Sequence, residues 1–267
     1  MKTSVSLSVF KAPAGMPALF SQATEENLRF ISEHGYDGVD LFVRDPYAEQ
    51  TKQAVKDLSR YGLGVGAIMP AALAREGLFL ADPNSEVRAE AIRRIGEIIP
   101  LAQETGGMVS LGLVRGNRPD GQSEEAFFDV FARSCEALLE QSEPRKVPLV
   151  IEPINRYEIN NMNSIEQSVD FIRKYQMPLY LMIDTFHMNI EDRSMEEAIL
   201  QAAPYTKHIH FLDSNRLAPS MGHLDMTGLY RVIESTGYTG YLCLEALPRP
   251  DSRTCAARGA EFFRSVK

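Results

Sequence analysis

Four residues in this sequence are placed to do chemistry together: Glu152, Asp184, His210 and Glu245. Glu152 follows the run VPLVI, Asp184 follows LYLMI, His210 lies within KHIHF and Glu245 follows GYLCL. The separations are 32, 26 and 35 residues, each the length of one strand plus one helix. A carboxylate at the edge of an apolar core is costly to desolvate, and three of them together repel one another. A bound divalent cation removes both penalties. Three carboxylates and one imidazole suit a hard or borderline ion, Mn²⁺ first, with Mg²⁺ or Co²⁺ as alternatives. A structural zinc site would draw on cysteine and histidine instead. One acid at a strand end is as often the partner of a nearby arginine. Four matched residues on consecutive strands are poorly explained that way.

Enolisation is one reaction open to such a site. A proton next to a ketone becomes acidic when a metal polarises the carbonyl and stabilises the enediolate. Inverting that carbon means taking a proton from one face and returning one to the other. Glu152 and Glu245, on the fifth and eighth strands, can approach from opposite sides as the acid/base pair. Asp184 and His210 between them would mainly hold the metal. A 1,2-isomerase moves the proton along one face and needs only one of the glutamates.

The elements that must position these residues are eight short β-type runs. They begin at Ser4, Asp37, Leu63, Met108, Val147, Leu179, Lys207 and Gly240, with starts 26 to 45 residues apart. The first, SVSLSVF, alternates apolar residues with serine, which marks a strand and not the core of a signal peptide. Helical signals lie between the runs. Thr24 is placed to cap a helix that buries Leu28 and Ile31 and stops at Gly35; Asp225 opens another that buries Leu229, Val232 and Ile233 and stops at Gly237. Ile92, Ile95, Ile99 and Ala102 form a buried stripe, with a kink expected at Pro100. Parallel neighbours need such crossovers, and eight repeats predict an α/β fold, a closed (β/α)8 TIM barrel forming one domain over residues 1–267. A doubly wound sheet would carry a glycine fingerprint after its first strand; the loop here reads FKAPAGMPALF.

Other residues fall near the same mouth. His187, three residues past Asp184, is placed to donate to a substrate oxygen. Arg216, after the seventh strand, suits a carboxylate or the task of holding Glu158. Arg115, with Arg118, follows the fourth strand and is expected to meet an acidic substrate terminus. His208 shares the side of His210 one layer deeper and reads as a hydrogen-bonded core histidine. The net charge of -8 disfavours nucleic acid and anionic membranes as partners. Three scattered cysteines point to a reducing compartment, and no run is long enough to span a bilayer. A cytoplasmic location and a homo-oligomer are expected.

The segments IEPINRYE (151–158), IDTFHMNIED (183–192), HIHFLDSNR (208–216) and LCLEAL (242–247) resemble those of xylose-isomerase-like barrels. Within them the similarity is to the ketose 3-epimerases related to D-tagatose 3-epimerase, and it covers essentially the whole chain. LVRGNR (113–118) and DSNRLAPSMGH (213–223) look closer still to a branch acting on keto-uronates, the 5-keto-L-gluconate epimerase type. The resemblance implies that Glu152, Asp184, His210 and Glu245 bind the metal, and that Glu158, His187 and Arg216 contact the oxygens of a sugar or sugar-acid substrate. Free-sugar members commonly wall the pocket with tryptophan, and this chain has none. That departure points away from D-tagatose and D-fructose themselves. Aldose–ketose isomerases of the hydroxypyruvate isomerase type and a lyase that dehydrates a keto-inositol share the barrel. So does a DNA repair endonuclease, which would need early histidine ligands and a basic face; the loop after the third strand reads PAALAREG instead. A non-catalytic sugar-binding barrel is the remaining alternative.

Overall fold

The computed structural model describes the whole chain, Met1–Lys267. Eight strands, β1 (Lys2–Ser8), β2 (Gly38–Phe42), β3 (Gly64–Met69), β4 (Met108–Ser110), β5 (Leu149–Ile151), β6 (Tyr180–Asp184), β7 (Thr206–His210) and β8 (Tyr241–Leu244), close into a parallel barrel in sequence order. The helices around it are α1 (Glu25–Glu33), α2 (Glu49–Arg60), α3 (Ala71–Arg75), α4 (Ser85–Gly96), α5 (Ile99–Thr105), α6 (Glu124–Ser142), α7 (Ile165–Tyr175), α8 (Thr185–Glu191), α9 (Met195–Ala202), α10 (Met226–Ser235) and α11 (Ser252–Val266). None is long and apolar enough to cross a membrane.

The helix boundaries follow from local chemistry. The Thr24 hydroxyl accepts from the Asn27 amide, and Asp225 accepts from Gly228, so both helices start where a short oxygen-bearing side chain can satisfy a free N–H. Gly35 and Gly237 follow them in the left-handed conformation. Val232 is only partly buried beside Leu229 and Ile233. The expected kink at Pro100 is a full break. Helix α4 ends at Gly96, and Pro100 sits in the first turn of α5, where its missing N–H costs nothing. The fourth strand is also shorter than its run, because Gly112 turns the chain into a 3-10 turn at Leu113–Arg115.

Strand periodicity sets the height of the site. Val150 and Met182 join Phe42, Ala67 and Met69 in an apolar cluster separate from the main core. Two residues further along each strand direction, on the same side, come Glu152 and Asp184; His210 stands likewise above His208, and Glu245 above Cys243. Asp184 is the register partner of His210. The four polar residues therefore form one layer at the C-terminal end of the barrel, over an interior already filled. On β1, Ser4 and Ser6 are buried with the apolar residues, and Ser6 Oγ donates to the Pro17 carbonyl at 2.7 Å.

Candidate active site

Glu152, Asp184, His210 and Glu245 are all buried, and one oxygen or nitrogen of each lies within 4.8 Å of the others. Two ligands each held about 2.0–2.6 Å from one ion stand at most about 4–5 Å apart, so a single cation spans this set. His210 Nδ1 faces Glu152 Oε1 at 2.9 Å, Asp184 Oδ2 at 3.6 Å and Glu245 Oε2 at 3.8 Å. Asp184 Oδ2 has no hydrogen-bond partner although it is buried. An orphaned carboxylate oxygen aimed at three other ligand atoms is what a bound divalent cation would satisfy. The electrostatics agree. Burial pushes Glu245 above the usual carboxylate range, with the nearby Glu152 adding to it. Burial alone would lower His210, but Glu245 and Glu152 outweigh it and hold the ring protonated well above its ordinary range. Left to itself, the nest keeps a proton where it needs positive charge.

Beneath it lies Asp40, on β2, which the reading of strand ends missed. Its Oδ2 is 3.3 Å from His210 Nε2 and 2.5 Å from His208 Nε2. A carboxylate on the far nitrogen fixes the ring so that Nδ1 faces the nest. Asp40 is held low because its two histidines outweigh burial, His208 most of all. His208 is the core histidine expected. The available signal for Asp40 was an acid inside the run GVDLF, in phase with the barrel interior.

A second set of groups frames the cavity above. His187 is in the first turn of α8, which Asp184 itself caps by accepting from the amides of Phe186 and His187. Asn155 Nδ2 lies 2.8 Å from His187 Nδ1 and 3.0 Å from Glu158 Oε1, while its Oδ1 accepts from the Tyr157 amide. With Nδ1 accepting, His187 carries its proton on Nε2. Burial lowers its pKa and favours this neutral donor form. Arg216 donates to Glu158 at 2.8 Å and to Glu245 at 3.0 Å, so it joins a framing residue to the nest. It takes a positive φ of 59°, an uncommon backbone conformation for arginine. Asn155 is a further residue that the sequence did not single out.

These groups open into one cleft at the barrel mouth. Glu152, Glu158, His187, Arg216 and Glu245 line it, with Met16, Phe42, Met69 and Leu113 among the apolar walls. A Cβ at Gly112 would lie 2.8 Å from Glu152 Oε2, so any larger residue there would displace that carboxylate.

Arg115 does not meet the expectation set for it. It is fully buried and outside the cleft, donating to Asn161 Oδ1 at 2.8 Å and to the carbonyls of Leu111 and Glu152 at 3.2 Å. The 3-10 turn after β4 swings its side chain inward, where it fastens the backbone of β5 just at Glu152. Its pKa falls to about 10 through burial, so the guanidinium stays charged. Each buried acceptor left without a donor costs about 1–3 kcal/mol. Arg115→Ala is therefore expected to destabilise the fold by about 3 kcal/mol or more, lowering Tm by roughly 6–12 °C. Thermal unfolding of the variant checks this; a Tm within 2 °C of the parent (about 1 kcal/mol or less) would contradict it.

The barrel and the carboxylate–imidazole nest at its C-terminal mouth define the class of protein: a (β/α)8 barrel whose last four strands bring three carboxylates and an imidazole together beside a cleft. The chain belongs to the xylose isomerase-like TIM barrel family, whose model matches residues 28–266. It is 28% identical over 226 residues to an L-ribulose 3-epimerase of Mesorhizobium japonicum, covering 83% of this chain and 75% of that protein. It is 26% identical over 256 residues to the 3-dehydro-D-guloside 4-epimerase of Escherichia coli K12, covering 90% of this chain and 94% of that one. A solved L-ribulose 3-epimerase superposes with a TM-score of 0.84 over 100% of this chain and 94% of its own, at 23% identity.

Proposed function

We propose that this protein is a metal-dependent sugar epimerase that inverts the carbon next to the carbonyl of a ketose or keto-uronate. The observation that carries the reading is the division of labour within the nest. Glu152 and Glu245 both line the cleft, from β5 and β8, whereas Asp184 and His210 do not line it and are enclosed beneath. Two carboxylates, from β5 and β8, are thus open to a substrate in the cleft, while the other two groups would mainly hold the ion. The names of the relatives, a ketose 3-epimerase and a 4-epimerase of a 3-keto sugar, support the same chemistry.

A divalent ion held by Glu152, Asp184, His210 and Glu245 would polarise the substrate carbonyl and acidify its neighbouring C–H; the oxygen-rich donor set favours Mn²⁺, with Mg²⁺ or Co²⁺ as alternatives. The protein's own groups do the rest. One glutamate takes the proton from one face and the other supplies a proton to the opposite face, the roles reversing with direction. Burial raises Glu245, which suits a group that must give up a proton as well as take one. His187 presents Nε2–H to a substrate oxygen, a donor kept in one tautomer by Asn155. Arg216 and Glu158, paired with each other, orient the hydroxyls. The substrate we assign is a keto-uronate of the 5-keto-L-gluconate or D-tagaturonate type, on the branch motifs and the lack of tryptophan in the walls.

The test is incubation of metal-loaded protein with a panel of ketoses and keto-uronates in D₂O, followed by NMR. Deuterium should enter at the carbon beside the ketone of recovered substrate and of its epimer. Label with aldose as the product would establish the isomerase reading, and no exchange with any sugar would leave a binding barrel.

A further inference from the structure

The cleft has one cation that the site does not use. Arg75, the last residue of α3, lines it, yet makes no ion pair and donates no hydrogen bond. The acid beside it, Glu76, is turned away, accepting from Arg44 at 2.5 Å and lying 3.6 Å from Arg94. Among the hydrogen-bonding side chains of the cleft, Glu152, Glu158, His187, Arg216 and Glu245 belong to the linked group already described. Outside that group only Ser110 and Arg75 remain, and the rest of the lining carries no hydrogen-bonding side chain, Met16, Phe42, Met69 and Leu113 among it. A ligand engaged at the nest therefore meets otherwise apolar walls and one free, solvent-exposed guanidinium.

Charge sharpens the point. Glu152, Asp184, Glu245 and Glu158 crowd four carboxyl groups at one end of the cleft, where Arg216 is already paired with Glu158 and Glu245. That end offers no unpaired cation to an anion. An anionic substrate needs a further positive charge, held away from the reacting carbon so that it does not tie up the acid/base pair. Arg75 is the group so placed, and its planar fork matches a carboxylate with two parallel bonds.

We propose that Arg75 selects substrates carrying a carboxylate at the end remote from the ketone. The proposal rests on the epimerase reading and deepens it. The test compares kcat/KM for a keto-uronate and for the neutral ketose of the same stereochemistry, in the metal-loaded parent, R75A and R75K. Arg75 is exposed at a helix end, and metal content together with circular dichroism reports on folding of each variant. The parent should prefer the keto-acid. In R75A the ratio of keto-acid to neutral ketose should fall about tenfold to hundredfold, the scale of one hydrogen bond to a charged group. R75K should keep part of the preference, since lysine retains the charge and loses the fork. A ratio unchanged in R75A overturns the proposal. So does a parent that prefers a ketose phosphate to the keto-acid and loses that preference in R75A, which would make the anion a phosphate. Failure of the epimerase reading looks different: no sugar then exchanges its proton in D₂O, whatever its charge.

Discussion

Glu152→Gln and Glu245→Gln are each expected to abolish epimerisation, with losses of about 10²–10⁴ in turnover, the usual worth of a positioned acid or base. Glutamine keeps the shape and one coordinating oxygen but gives up the charge and the basic lone pair. The surroundings make the two variants unequal in one respect. Glu152 Oε1 sits 2.9 Å from His210, whereas Glu245 is tied to Arg216 and through it to Glu158. Glu245→Gln therefore also loosens the groups that orient substrate and should raise KM as well as lower kcat; Glu152→Gln should act mainly on kcat. Each variant keeps one working face. Deuterium should then enter one epimer faster than the other, in opposite senses for the two proteins. Metal content is assayed alongside, because a lost ion would mimic a lost base. If one variant keeps near-normal turnover with its metal in place, the two-base mechanism fails and the one-face isomerase takes its place.

How much of this was legible beforehand follows from what strands and loops each reveal. The barrel was readable because each strand-and-helix repeat declares itself through apolar runs and caps, as Thr24 and Asp225 do. The four nest residues were readable because a parallel barrel puts every strand end on one face, so register alone brings them together. What escaped was set by tertiary geometry. Asp40 lies mid-strand, and only barrel closure brings β2 against the histidines of β7. Arg115 looked like a loop arginine, but the short turn after Gly112 directs it into the core. Arg75 sits in PAALAREG, a segment read only for its lack of metal ligands. Whether an arginine is spent on a neighbour depends on who pairs with Glu76, and that is a fact about space.

Removing the metal should have the second large effect, on stability as well as on activity. The nest holds three buried carboxylates against one imidazole, with Asp184 Oδ2 unpartnered, so an ion that binds the folded state alone must stabilise it. At an ion concentration a hundredfold above its Kd the gain is about 2.7 kcal/mol. For a chain of 267 residues each kcal/mol shifts Tm by roughly 2–4 °C, so stripping with a chelator should lower Tm by about 5–10 °C. Epimerisation should vanish in the same sample, and adding Mn²⁺ in excess of the chelator should restore both. Asp184→Asn separates this from non-specific effects of salt. Asp184 is held down to about 2, burial being outweighed by His187 and His210, so it is present as a full negative charge. Its amide variant should gain less than about 2 °C from the same addition, having lost most of the ligand charge. A Tm in the parent that ignores both chelator and Mn²⁺, with turnover unaffected, would mean that the nest is a hydrogen-bonded carboxylate cluster and that Glu152 and Glu245 work without an ion between them.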